Sequence, residues 1–176
     1  MRTGLVRSDP LVPLLHPRVG IIALTLGSAA LLAGAWYFQL VLGLLPCKLC
    51  LEQRWPHYLA VVIGVSGVAA SLVGRRTYVR AALGLMAVIF LISAGMGGYH
   101  AGVEWGWFTG PSDCGGAAPA AAGSMQDFMR QLQTTRVVSC TEAAWRLAGL
   151  SLAGWNAVFS LALAGFAALT VTRTEP

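Results

Sequence analysis

Four long apolar stretches alternate with short polar segments along this chain. Each stretch is free of Asp, Glu, Lys and Arg, and the four contain 29, 20, 23 and 26 residues, between Arg18 and Lys48, Arg54 and Arg75, Arg80 and Glu104, and Arg146 and Arg173. A helix of roughly 20 residues crosses the hydrocarbon core of a bilayer, which is about 30 Å thick. The pattern therefore predicts four transmembrane helices, at about residues 19–44, 55–73, 79–99 and 150–171.

Composition places the chain in the same class. Its 176 residues are 56% hydrophobic and 11% charged, whereas about a quarter of the residues in a typical soluble domain are charged. We therefore expect an all-α membrane protein, a four-transmembrane-helix bundle that forms a single domain over residues 1–176. Two loops then lie on the same side of the membrane, a short one at about 45–54 and a long one at about 100–149.

The long loop contains a short predicted helix. Ser124 and Asp127 match an N-terminal capping box in its acidic form. Apolar residues follow at the helical spacing i, i+3, i+4 and i+7, at Met125, Phe128, Met129 and Leu132. Such a stripe is typical of an amphipathic helix that lies in the plane of the membrane interface. We expect this helix to anchor the loop and to carry no chemistry.

Basic residues determine the predicted orientation. Seven lie on the side of the two termini and five on the other side. The connection at 75–80 contains three arginines and no acidic residue, which is typical of a cytoplasmic loop. We expect both termini to be cytoplasmic and all four cysteines to be extracytoplasmic, where disulfides persist. Anchoring arginines explain the net charge of +5, so we expect no nucleic-acid partner.

Two cysteines three residues apart follow the first predicted span. Cys47 and Cys50 lie in a polar segment between two apolar stretches, and Arg54 follows four residues after Cys50. If Cys50 lies in the first turn of the next helix, Arg54 is on the same helical face. A helix N-terminus and a nearby cation both stabilise a thiolate. The segment therefore predicts a redox-active thiol at the membrane edge.

Two histidines lie near the ends of predicted spans. For His57 an interfacial hydrogen bond is the favoured interpretation, ahead of ligand binding. His100 lies close to Glu104 and to two tryptophans, Trp105 and Trp107. For His100, contact with a ligand and simple interfacial placement are both open hypotheses.

The remaining cysteines, Cys114 and Cys140, lie in the long loop, and four cysteines allow three pairings. Cys47 and Cys50 are close enough for a local disulfide, and a Cys114–Cys140 bond would close a loop of about 27 residues, worth roughly 3 to 4 kcal/mol in an entropy model. One hypothesis is therefore a non-catalytic membrane scaffold stapled by two disulfides. A zinc site is disfavoured because paired CxxC knuckles are absent and the compartment is oxidising, so we expect no metal.

The other hypothesis is electron transfer through the four thiols. A disulfide in the long loop can oxidise a soluble protein and pass the electrons to the CxxC pair by thiol–disulfide exchange. Leu51 follows Cys50, so the CxxCH haem motif is absent, and a lipid-soluble quinone is the economical acceptor. Beside Cys50, a quinone ring would meet Arg54 as a stabilising cation and His100 as a candidate proton relay.

These residues resemble the DsbB family of bacterial disulfide bond formation proteins. Three motifs carry the resemblance, which covers nearly the whole chain: Pro46-Cys47-Lys48-Leu49-Cys50-Leu51-Glu52-Gln53-Arg54, Tyr99-His100-Ala101-Gly102-Val103-Glu104-Trp105 and Cys140-Thr141-Glu142. The resemblance implies a thiol:quinone oxidoreductase of the bacterial inner membrane. It also implies that the protein reoxidises a periplasmic DsbA-like oxidase, with ubiquinone or menaquinone as electron acceptor.

The same resemblance implies roles for individual residues. Cys114 would form the mixed disulfide with the partner, and Cys140 would exchange with Cys47. Cys50 would be the thiolate that contacts the quinone, and Arg54 would support the quinone.

A second enzyme family, the vitamin K epoxide reductases, also combines four helices with loop and membrane-edge thiols. In that family the CxxC follows the loop pair along the chain, which is the reverse of the order in this sequence.

Overall fold

Four long helices run through the structure, and each is long and apolar enough to cross a membrane. The computed structural model describes residues 16–111, 114, 124–126, 129 and 139–172. The helices are α1 (Pro17–Leu40), the short α2 (Lys48–Glu52), α3 (Arg54–Leu72), α4 (Arg76–Glu104) and α5 (Leu152–Thr172). This architecture confirms the predicted all-α membrane fold with four spanning helices.

Local backbone chemistry decides where the helices end. α1 stops at Leu40, before the predicted limit at residue 44. Gly43 adopts a φ of 67°, a left-handed conformation that allows the chain to leave a helix. α4 continues to Glu104, beyond the predicted limit at residue 99. His100 and Glu104 are therefore both helical and lie one turn apart.

A two-residue β-hairpin, which the hydropathy pattern does not predict, precedes α5. Strand β1 (Arg146–Leu147) pairs antiparallel with strand β2 (Leu150–Ser151). Ala148 and Gly149 form the turn with φ values of 50° and 82°, and two consecutive positive φ values are typical of a type I′ hairpin turn. The hairpin determines where α5 begins, because the Ser151 hydroxyl accepts the N–H of Gly154 at 3.1 Å.

The predicted interfacial helix is described only in part. Met125, Gln126 and Met129 have helical backbone, and the two methionines are 76% and 52% exposed. Phe128 and Leu132 lie outside the described residues. The amphipathic stripe of this segment therefore stays a prediction.

Apolar side chains of moderate size fill the centre of the bundle. Every spanning helix contributes fully buried residues to this core, which include Ile21, Leu24, Ala60, Leu83, Met86, Phe90 and Ala167. Other apolar side chains point outward and remain exposed, for example Leu26, Val62 and Leu161. An exposed apolar surface of this extent is expected of a bundle surrounded by lipid.

The helices alternate in direction, so the bundle has two different ends. At the end that we call the arginine end, Arg18 donates two hydrogen bonds to the carbonyl oxygen of Ser71, at 3.1 and 2.6 Å. Carbonyls in the last turn of a helix lack intrahelical partners, so Arg18 joins the start of α1 to the end of α3. Gly20 packs against Thr170 of α5 at the same end. The opposite end, which holds the four cysteines, is called the thiol end.

Helices α4 and α5 touch through their backbones at Gly97. A Cβ atom on Gly97 would lie 2.8 Å from the Ala157 nitrogen and 2.9 Å from the Ala153 oxygen. In lipid the hydrophobic effect does not drive helices together, so close approach over small residues supplies much of the packing energy. Gly97 therefore sets the distance between two helices that both reach the thiol end.

We expect Gly97→Ala to destabilise the protein by about 1–3 kcal/mol, the usual cost of overpacking a tight contact. The measurement is thermal unfolding of the purified protein in mild detergent. Gly98→Ala is the matched control, because an added Cβ there meets nothing within 4 Å and alanine favours helix. Equal stability of the two variants would contradict the importance of the backbone contact.

Candidate thiol site

Cys47 and Cys50 are held together by the short helix α2. Cys47 caps the N-terminus of this helix, and its Sγ accepts the backbone N–H of Cys50 at 3.3 Å. The two sulfur atoms lie 2.8 Å apart, and both residues are free thiols. Cys47 is 2% exposed, whereas Cys50 is only partly buried. The two thiols therefore have different environments, one inside the protein and one nearer its surface.

The second cysteine pair belongs to the same buried cluster as the first. Cys114 and Cys140 form a disulfide, which selects one of the three pairings that the sequence allows. Both residues belong to a single buried cluster with Cys47, Leu49 and Val103, and Cys50 packs against that cluster. Cysteines that lie far apart in sequence thus share one buried cluster at the thiol end.

A metal site built from all four cysteines is not formed in this structure, because the disulfide occupies Cys114 and Cys140. The donor atoms of Cys47, Cys50 and His100 do lie within 4.8 Å of one another. Two thiols and an imidazole at these distances also form the arrangement that thiol–disulfide chemistry needs, a nucleophile beside a group that exchanges protons.

Hydrogen bonds determine which nitrogen of His100 carries the hydrogen. The amide nitrogen of Gln53 donates to the Leu49 carbonyl at 3.2 Å and lies 2.7 Å from His100 Nδ1. An amide nitrogen only donates, so Nδ1 accepts and the hydrogen of the neutral ring is on Nε2. His100 Nε2 lies 3.7 Å from Cys47 Sγ and 3.8 Å from Glu104 Oε1. The imidazole N–H therefore faces a sulfur and a carboxylate.

The surroundings of Cys47 favour its ionised form. The largest influence on the pKa of Cys47 is a hydrogen bond that the Cys50 thiol donates to the Cys47 sulfur, which lowers this pKa. Burial of Cys47 opposes ionisation, and hydrogen bonds from His100 and from the Cys50 backbone assist it. Together they lower the pKa of Cys47 from 9.0 to about 5. The contacts of Cys47 in the reduced pair therefore favour a thiolate at Cys47, whereas the sequence pattern favours a thiolate on Cys50.

Arg54 is turned toward α1. Its guanidinium donates to the side-chain oxygen of Gln39 at 2.7 Å and to the Ala35 carbonyl at 3.4 Å. It also lies over the ring of Trp36, 5.1 Å from the ring centroid, at a distance typical of a cation–π contact. Arg54 is 8% exposed, and among the described residues no carboxylate pairs with it. The positive charge is thus buried without a neutralising partner in the described part of the chain.

A cavity of about 320 Å³ lies beside Cys50 and Arg54. Its lining residues come mainly from α1, α3, α5 and the segment that precedes α2, with one residue each from α2 and α4, and most of them are apolar. The polar lining residues are Gln39, Cys50, Gln53, Arg54, His57, His100 and Asn156. A mostly apolar pocket of this size with a few convergent polar groups is typical of a site for a small organic ligand. Cys50, Arg54 and His100, singled out in the sequence, thus share one cavity wall.

Three amides in the site were not predicted from the sequence. Gln53 links His100 to Asn156, whose side-chain nitrogen donates to the Gln53 oxygen at 2.9 Å. The Asn156 oxygen in turn lies 3.0 Å from Nε2 of His57. With Gln39, these residues are isolated amides at the edges of or inside apolar spans, and polar residues in such positions are costly unless they serve a function. The position of these amides in apolar spans is visible in the sequence and could have marked them as candidate site residues.

His57 is buried among the helices of the bundle. It is 3% exposed, and its Nε2 lies 3.1 Å from the hydroxyl of Ser93 on α4. His57 thus has hydrogen-bonding partners inside the bundle, and its position at the membrane interface stays a prediction. His57 follows Arg54 by one helical turn, which brings it to the same face of α3 and into the wall of the cavity.

Comparisons with known proteins agree with the site. The family model for disulfide bond formation protein DsbB matches residues 17–170. Disulfide bond formation protein B of Marinobacter nauticus is 34% identical over 139 residues, which cover 74% of this chain and 77% of that protein. The protein of the same name from Nitrosospira multiformis is 31% identical over 170 residues, covering 89% and 90%. No solved structure matches the chain significantly.

A third relative, disulfide bond formation protein B 1 of Pseudomonas aeruginosa, is 29% identical over 175 residues, which cover 92% of this chain and 99% of that protein. The matches therefore extend over nearly the whole chain and include the four spanning helices and both cysteine pairs. The chain belongs to the DsbB family and is a multi-pass membrane oxidoreductase of disulfide bond formation.

Proposed function

We propose that this protein is a protein-dithiol:quinone oxidoreductase that reoxidises a periplasmic DsbA-like thiol oxidase. One observation carries the proposal. Cys50 lines an apolar cavity, while its partner Cys47 packs in one cluster with the Cys114–Cys140 disulfide. The inner thiol pair therefore lines a site for an apolar acceptor through Cys50 and shares a buried cluster with the outer disulfide through Cys47.

Electrons enter by thiol–disulfide exchange. A thiolate of the reduced partner attacks Cys114, the Cys114–Cys140 bond breaks, and its electron pair leaves on Cys140. Cys140 then attacks Cys47 of an oxidised inner pair, and Cys50 leaves as a thiolate. Cys114 is the more exposed member of the outer pair, at 9% against 1% for Cys140, which supports Cys114 as the residue that the partner meets.

Two further exchanges complete the transfer. The second thiolate of the partner attacks the mixed disulfide and releases Cys114, and the partner leaves oxidised. Cys114 then attacks Cys140, which restores the outer disulfide and leaves Cys47 and Cys50 both reduced. The structure has this combination of an outer disulfide and two inner thiols. It is the state that holds two electrons for the acceptor.

The residues around the cavity fit a quinone head group. The apolar walls suit the ring, and Arg54, Gln39 and Cys50 supply polar contacts at one side. A bound quinone, either ubiquinone or menaquinone, supplies the capacity to accept two electrons and two protons. Since Arg54 has no carboxylate partner in the described part of the chain, its charge remains available to attract an electron-rich oxygen.

His100 and Glu104 are suited to manage the proton of Cys47. The Nε2–H of His100 faces both the Cys47 sulfur and the Glu104 carboxylate, and Gln53 holds the ring in that orientation. Stabilising the Cys47 thiolate makes the inner disulfide a stronger oxidant, because a stabilised reduced form raises the reduction potential of a dithiol. A strong oxidant is what the oxidation of another thiol oxidase requires.

The proposed location is the bacterial inner membrane with the thiol end in the periplasm and both termini in the cytoplasm. Arginines concentrated at the opposite end of the bundle, near Arg18 and the α3–α4 turn, support this orientation. The order of the cysteine pairs along the chain argues against a vitamin K epoxide reductase-like enzyme. Free thiols at Cys47 and Cys50 argue against a scaffold stapled by two disulfides.

Replacing Cys50 by serine should abolish turnover and leave the fold intact. We expect quinone reduction, assayed with a reduced DsbA-type oxidase and short-chain ubiquinone, to fall by more than about 100-fold, because no second thiol remains to complete the transfer. The thermal unfolding midpoint in detergent serves as the control. Retained turnover, or a large loss of stability without a turnover to lose, would favour the scaffold hypothesis.

Replacing Arg54 by alanine should weaken use of the quinone more than use of the protein dithiol. We expect the KM for quinone to rise about tenfold, equivalent to about 1.4 kcal/mol, while the KM for the dithiol partner stays within about twofold. Arg54→Lys retains the charge and should recover part of the loss. Arg80→Ala, at the arginine end, is the control. Equal effects on both substrates would contradict a quinone-side role.

The ionisation of Cys47 should be visible in the ultraviolet absorbance of its thiolate. The titration is made in a Cys114→Ala/Cys140→Ala background, which removes the outer cysteine pair. We expect the thiolate absorbance to rise with a midpoint near pH 5. An unfolded cysteine ionises near pH 8.5, so this thiolate stabilises the folded reduced protein fully above about pH 8.5, and the contribution is lost as the pH falls toward 5. His100→Phe should raise the midpoint, and His16→Phe should not. A midpoint near 8.5 before mutation would overturn the assignment.

A further inference from the structure

His57 stands in the wall of the cavity, one turn deeper along α3 than Arg54. Neither the thiol–disulfide exchanges nor the proton transfer at Cys47 involves His57. Its side chain is almost fully buried, at 3% exposure, and its ring lies 6.1 Å from that of Phe90. A buried imidazole in an apolar bundle is costly unless each ring nitrogen has a partner, so the partners of both nitrogens matter.

A chain of amides fixes the hydrogen of His57 on Nε2. Asn156 uses its side-chain nitrogen to donate to Gln53 at 2.9 Å, so its oxygen faces His57 Nε2 at 3.0 Å. The Ser160 hydroxyl donates its one hydrogen to the Ser93 hydroxyl at 3.0 Å and lies 3.5 Å from the Asn156 oxygen. The Ser93 hydroxyl lies 3.1 Å from His57 Nε2 and can accept from it as well. Because the Asn156 oxygen only accepts, Nε2 must donate to it. Nδ1 of the neutral ring therefore carries a lone pair.

That lone pair has no hydrogen-bond donor among the described residues. His57 Nδ1 is fully buried and is one of three buried side-chain atoms without a partner in the described part of the chain. An unsatisfied buried acceptor is unfavourable, and at a functional site it indicates a group that a ligand satisfies. His57 lines the cavity, and protein atoms cover Nδ1 itself in this structure. A ligand hydroxyl that reaches Nδ1 through a small shift of the ring or its neighbours would supply the missing donor.

We propose that His57 Nδ1 accepts a hydrogen bond from a ring hydroxyl of the reduced quinone. This inference rests on the proposed function and assigns a further polar contact to the same cavity, in addition to Cys50, Gln39 and Arg54. The reduced ring differs from the oxidised ring by two electrons and two protons, which convert two carbonyl acceptors into hydroxyl donors. Nδ1 therefore binds the hydroquinone and gains no hydrogen bond from the quinone. His57 is a product-selective contact that favours reduction in the bound state.

The test compares binding of the two redox forms in protein that cannot exchange electrons with them. In a Cys50→Ser background, the Kd values of short-chain ubiquinone and ubiquinol are measured without oxygen by quenching of intrinsic tryptophan fluorescence. Trp155 lines the cavity and contributes to this signal. We expect His57→Leu to weaken ubiquinol binding by about three- to tenfold, the worth of one hydrogen bond, and to change ubiquinone binding by less than about twofold.

Two polar substitutions separate the ligand contact from a structural role. An asparagine side chain places its polar group where Nδ1 lies, and a glutamine side chain places it near the position of Nε2. His57→Asn should therefore retain part of the preference for ubiquinol, whereas His57→Gln should keep the contact with Asn156 and lose the preference. If His57 has only a structural role, His57→Gln should be more stable than His57→Asn in thermal unfolding. Both substitutions should then weaken the binding of ubiquinol and ubiquinone equally.

Three outcomes are distinguishable. A selective loss of ubiquinol affinity in His57→Leu and His57→Gln supports the inference. Unchanged or equally weakened affinities for both redox forms overturn it and leave the proposed function standing. If the Cys50→Ser protein with its native His57 binds neither form, the cavity is not a quinone site and the proposed function itself fails.

Discussion

The hydrogen bond between Gln53 and His100 is the interaction on which the thiol site depends. Its 2.7 Å contact joins the start of α3 to the last turns of α4 and directs the imidazole N–H toward Cys47 and Glu104. The other end of the Gln53 amide is held by Asn156 of α5. Three helices thus meet in one hydrogen-bonded group. In a bundle surrounded by lipid, such polar groups must satisfy one another internally, so the site and the helix packing support each other.

The two inner thiols divide the chemistry because their environments differ. Cys47 is buried against the outer disulfide and has donors that stabilise its thiolate. Cys50 is nearer the surface and faces the cavity. Arg54, Gln39 and Trp36 place a positive charge at that cavity without a carboxylate partner in the described part of the chain. The proposed exchange with the outer disulfide and the proposed transfer to an apolar acceptor therefore have separate places around one pair of sulfur atoms.

Much of the fold was predictable because its signals are local. Four apolar stretches of sufficient length required four spanning helices, and the DsbB resemblance seen in the cysteine motifs is confirmed by matches over most of the chain. The helix limits were less accurate. Gly43 ends α1 early, and hydropathy alone does not show a left-handed turn. The hairpin before α5 depends on two positive φ values at Ala148 and Gly149, and alanine gives no signal for such a turn.

The sequence by itself determined the membrane architecture, the redox chemistry and the family, since these follow from hydrophobic length and from cysteines three residues apart. Only the tertiary structure decided which distant polar residues meet. Gln53 and Asn156 are 103 residues apart and bond in the cavity wall. His57 and Asn156 are 99 residues apart. Such pairs depend on the rotation and spacing of packed helices, which close contacts such as Gly97 against Ala157 set. For that reason, the buried position of His57 became apparent only in the folded bundle.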